Sequence, residues 1–133
     1  MANELEITGI LKFSKGGVKQ ELSLNHRIDI AGSKVVELVQ SIPAGSTTPI
    51  NFGDIAVTDL GYAIIENLDD TNFVTVRSIE ASDNSAYIRI LPNSFAGPFM
   101  FNKAIFNTGA NQTKPYAVAD TAACNIRVIA IQT

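Results

Sequence analysis

LGYAIIENLDDTNFVTVRS, residues 60–78, is the stretch on which the fold reading turns. Two β-rich runs, 62–67 and 73–78, flank a polar break made of Leu68, Asp69, Asp70, Thr71 and Asn72. Asp and Asn favour such breaks because their side chains hydrogen-bond the nearby backbone and tolerate left-handed conformations. The separation fits a four- or five-residue hairpin loop, and it predicts a hairpin at the centre of an antiparallel sheet.

Working outward towards the amino terminus, the loop 43–49 (PAGSTTP) is rich in turn formers. It is preceded by KVVELVQSI, residues 34–42, whose adjacent β-branched residues favour a strand over the helix that the same spacing would allow. Ile50 to Phe52 reads as a short strand ended near Gly53 and Asp54, and 55–60 as a corner or a short helical turn. Farther upstream, residues 4–8 alternate polar and apolar, and the phase changes at Gly9, which suggests a bulge or a strand bend. Ser14 to Gly17 makes a turn. Residues 18–30 then alternate through Leu22, Leu24, Ile28 and Ile30, with His26 in the same register, so His26 is expected partly buried and hydrogen-bonded.

On the carboxyl side, 82–85 is a turn and 86–91 (AYIRIL) a strand. Residues 97–101 form a compact aromatic strand with core contacts, and the polar segment 107–115 a surface loop. Runs 116–119 and 126–131 close the sheet, and Arg127 as the single charge of IRVIAI marks a well-covered strand. Eight to ten short strands at intervals of roughly 8–12 residues are the pattern of a sandwich or barrel. The expectation is therefore an all-β chain, residues 1–133 forming one antiparallel β-sandwich domain, jelly-roll-like in preference to immunoglobulin-like because of the strand number.

Composition narrows the function classes. The chain of 133 residues is 46% hydrophobic and 17% charged, below the roughly 25% charged of an average domain. Low charge with this much apolar content argues against disorder, and part of the surface is expected either to be covered by a partner or to be a Ser/Thr/Asn-rich β surface. A net charge of −3, without clustered Lys and Arg, gives no footprint for nucleic acid. No apolar stretch approaches the ~18 residues of a membrane span, and MANELEITG lacks the pattern of a secretory signal. The chain is expected to be soluble and made in a cytoplasm.

Chemistry is sparse. A single Cys124 excludes an internal disulfide and a cysteine-based zinc cluster, and reads as a small buried hydrophobe. Any Ser-His or Cys-His pair would need His26, the only histidine, and no G-x-S-x-G context exists. Glu66, Asp69, Asp70 and Asp54 could supply a carboxylate pair, but two of them sit in the break, where backbone hydrogen bonding explains them. Asp69, Asp70 and Asn72 offer oxygen ligands for calcium, yet the glycine and distal glutamate of an EF-hand loop are missing, so turn chemistry is preferred. The expectation is no enzyme, with no catalytic, cofactor-binding or metal-ligating residues and no cofactor.

A resemblance adds to this reading. Gly61-Tyr62, then Glu66-Asn67-Leu68-Asp69-Asp70-Thr71-Asn72 and Phe73-Val74-Thr75-Val76, resembles a pattern in small virion proteins of tailed bacteriophages: a glycine-aromatic strand, an Asn-Leu-Asp-x-Thr-Asn turn and a β-branched strand. Gln40-Ser41-Ile42, Gly53-Asp54-Ile55 and Arg89-Ile90-Leu91-Pro92 are similar to the flanking elements of such proteins, and the likeness covers the middle third of the chain. It implies a non-enzymatic structural module, made in the bacterial host cytoplasm and resident in the virion, that decorates or cements the capsid or is built into the tail. The implied partners are further copies of itself, with a trimer favoured, and capsid or tail proteins. The alternative is a carbohydrate-binding or adhesive module for host attachment, for which Tyr62, Tyr87 and Tyr116, without any Trp, are a thin aromatic supply.

Overall fold

The computed structural model describes residues 5–77, 87–100, 107–108, 111–112 and 115–133. They form two compact units, Met1–Ala31 and Gly32–Thr133. The expected turn at 82–85 and Phe101 lie outside the described residues.

The first unit is a long hairpin. Strands β1 (Leu5–Lys15) and β2 (Val18–Ile28) pair antiparallel over their full length, from Leu5 opposite Ile28 to Lys15 opposite Val18. Gly16 and Gly17 close it with φ of 59° and 81°, the two positive values that a type I′ turn demands and that glycine supplies without steric cost. Gly9 pairs with Leu24 with no slip in register, so of the bulge or bend expected there the bulge is absent. The change of phase there is an apolar Ile10 placed on the otherwise polar face.

The second unit holds two four-stranded antiparallel sheets. One has the order β3-β12-β5-β8, from β3 (Val35–Ile42), β12 (Cys124–Gln132), β5 (Leu60–Asn67) and β8 (Phe95–Met100). The other has the order β4-β11-β6-β7, from β4 (Thr48–Pro49), β11 (Tyr116–Ala119), β6 (Val74–Arg77) and β7 (Tyr87–Ile90). A minimal pair, β9 (Asn107–Thr108) with β10 (Asn111–Gln112), falls within the stretch expected to be loop. Among the described residues the one helical element is a 3-10 turn at Val57–Asp59.

Both sheets contribute to one apolar core, with Ile42, Ile65 and Ile126 from the first and Val74, Ile90 and Ala117 from the second. Period-two alternation does the sorting. Along β12, Cys124, Ile126, Val128 and Ala130 are buried while Asn125, Arg127, Ile129 and Ile131 turn outward. The placement of β12 between β3 and β5 is what the near-absence of charge in that run foretold.

Three expectations are corrected. Thr48 and Pro49, inside the stretch 43–49 expected to be loop, form β4 and pair with β11. Residues 50–52 are not a strand: the backbone N–H of Ile50 donates to the Pro115 carbonyl at 2.8 Å and that of Asn51 to the Gln40 side chain at 2.9 Å. With those groups satisfied outside a ladder, the segment still buries Ile50 and Phe52 in the core. The central hairpin is also overturned. Strand β5 pairs with β12 and β8, and β6 with β11 and β7. The break at 68–72 therefore carries the chain from one sheet to the other.

Candidate functional site

The acidic break is the first place to look for chemistry, and its side chains are already spent on structure. Asn67, at the end of β5, is 1% exposed. Its amide donates to the carbonyls of Asn72 at 2.8 Å, Ile90 at 3.3 Å and Leu91 at 3.3 Å, while its oxygen accepts from the Asp69 backbone at 3.0 Å. The Asp69 carboxylate accepts the backbone N–H of Thr71 at 2.8 Å and of Asn72 at 2.5 Å. The N–H groups of Asn72 and then Thr71 hold its carboxyl below the ordinary aspartate value, against a weaker upward push from burial. Asp70 accepts the Thr71 hydroxyl at 2.8 Å. The loop is tied outward by Thr121, whose hydroxyl donates to the Asn72 side chain at 2.6 Å, and by the Asp120 N–H donating to the Phe73 carbonyl at 3.1 Å.

The other sequence candidates do not converge on it. Glu66 lies outward on β5 and pairs with the Arg127 guanidinium at 2.5 Å, directly across the ladder. Arg127 also reaches Glu37 at 3.4 Å. Asp54 accepts the Lys34 ammonium through its backbone carbonyl at 3.2 Å. Among the described residues no group of three or more His, Cys, Asp and Glu side chains is disposed to hold a metal ion. Cys124 is buried as expected, and burial, with smaller contributions from the charges of Asp69 and Asp120, pushes its thiol upward. His26 stands in the hairpin and Cys124 in the second unit.

His26 corrects the expectation of a partly buried histidine: it is exposed. The register that promised burial is real, for the pairs Leu5–Ile28, Ile7–His26, Gly9–Leu24, Leu11–Leu22, Phe13–Gln20 and Lys15–Val18 share one face. That face is largely apolar, broken by His26, Gln20 and Lys15, and the middle and tip of it are open to solvent. Leu11 is 67% exposed, Phe13 52% and Leu22 52%. The opposite face carries the pairs Glu6–Arg27, at 3.7 Å, and Lys12–Glu21, at 3.9 Å.

No family model, no curated protein and no solved structure matches this chain.

A second, partly apolar surface lies on the outward side of the β3-β12-β5-β8 sheet. There one row runs Val39, Arg127, Glu66, Phe95 across the four strands. Val35, Val39 and Phe95 are well exposed, and Ile64, Ile129 and Ile131 are half-buried. The Arg127–Glu66 ion pair and Glu37 interrupt these apolar side chains, so they are a mixed surface rather than one contiguous apolar patch. Sequence patterning located these residues but assigned the hairpin face to a core. The same alternation that marks a buried face is present on a face that is open in the structure.

Proposed function

We propose that this chain is a non-enzymatic structural component of a tailed-bacteriophage virion, made in the bacterial host cytoplasm, that decorates or cements the capsid or is built into the tail. The observation that carries the reading is the apolar hairpin face left open in a chain whose polar clusters are consumed by its own backbone. A chain with that distribution is suited to assembly rather than to turnover.

The fold we propose for the second unit is a jelly-roll sandwich. Its support is the strand order: eight strands divided as β3-β12-β5-β8 and β4-β11-β6-β7, with the loop 68–72 passing between the sheets. Jelly rolls of eight strands recur in viral capsid domains and in lectins, so the architecture is compatible with the virion role without dictating it. A glycan platform has less support, because Tyr62 and Tyr116 are each half-buried and stand on different sheets.

The partners are further copies of the chain and a capsid or tail protein. The test is to purify particles from an infected host and measure the protein's copy number by quantitative mass spectrometry, beside sedimentation of the isolated protein with particles lacking it. A fixed stoichiometry and rebinding are expected. Absence from purified particles together with failure to bind stripped ones overturns the proposal.

A further inference from the structure

We draw no further inference here: the strongest candidate, the outward face of the β4-β11-β6-β7 sheet, where Arg77 and Arg89 stand opposite Tyr116 and Thr75 rather than carboxylates, carries none, because the Arg89 guanidinium lies over the Phe73 ring at 4.3 Å, across Thr75 from Arg77, and nothing in the structure brings the two cations together on one ligand.

Discussion

The side-chain amide of Asn67 and the backbone carbonyl of Asn72 are joined by a 2.8 Å hydrogen bond that closes the crossing between the two sheets. The same amide reaches the carbonyls of Ile90 and Leu91 at the end of β7. One buried side chain from the first sheet thus satisfies acceptors at the rim of the second. A buried amide with its partners in place stabilises modestly, whereas orphaned partners cost the full desolvation penalty.

Replacing Asn67 with Ala is therefore expected to destabilise the protein by about 2–4 kcal/mol, since the carbonyls and the Asp69 N–H lose their partner together. Urea unfolding should show a lower midpoint with an unchanged slope. Asn67→Asp should be worse at neutral pH, where a carboxylate faces carbonyl oxygens, and should partly recover in acid as the protonated group becomes a donor again. An Asn67→Ala midpoint equal to that of the native chain contradicts this account.

Asp69 links the loop to pH. Its folded carboxyl lies below the ordinary value of 3.8 because the N–H groups of Asn72 and Thr71 favour the charged form. A depressed folded value means stability that is complete above the unfolded pKa and lost as pH falls through the folded one. The acid-unfolding curve of Asp69→Asn should consequently be flatter than that of the native chain below about pH 4. Parallel curves for the two proteins in that range dispose of the linkage.

Arg127 and Glu66 make a short contact, but the Arg127 side chain is 42% exposed and that of Glu66 33%. A cross-strand pair with that much solvent is worth about 0.2–1 kcal/mol. A double-mutant cycle of Arg127→Met with Glu66→Gln should return a coupling within that range, smaller at high salt. A coupling of several kcal/mol would instead indicate a desolvated pair.

Ile65 and Leu22 separate the core from the open face. Ile65 is fully buried between β12 and β8, so Ile65→Ala should cost about 2–5 kcal/mol. Leu22 is open in the single chain, and Leu22→Ala should change the unfolding of dilute monomer by less than about 0.5 kcal/mol. A large loss for Leu22→Ala in dilute monomer would place that side chain in an intramolecular core.

The strands themselves were legible because alternation is a local property. The runs 34–42, 116–119 and 126–131 each carry their inward residues at period two, and each forms as read, the last extended at both ends. Residues 50–52 were misread for the opposite reason. Their apolar content signals burial, but the Gln40 side chain and the Pro115 carbonyl, far away in sequence, take the hydrogen bonds that a ladder would have used. Of the candidate site, the reading of Asp69 as a turn residue held by backbone N–H groups agrees with the hydrogen bonds seen, whereas Asp70 accepts from the Thr71 hydroxyl rather than from the backbone. The solvent-facing side of the hairpin was not legible, since periodicity cannot say which molecule covers an apolar face.

The stretch 60–78 shows where that boundary falls. By itself the sequence determined two strands, a polar break between them and the use of Asp69 to cap that break, because each depends on residues within a few positions of one another. Whether the strands pair with each other depends on the chain as a whole. Strand β12, some sixty residues later, occupies the place beside β5, and β11 the place beside β6. Only the tertiary structure could decide that, because ladder hydrogen bonds are alike for any partner and the choice among partners is made by the burial of the whole core.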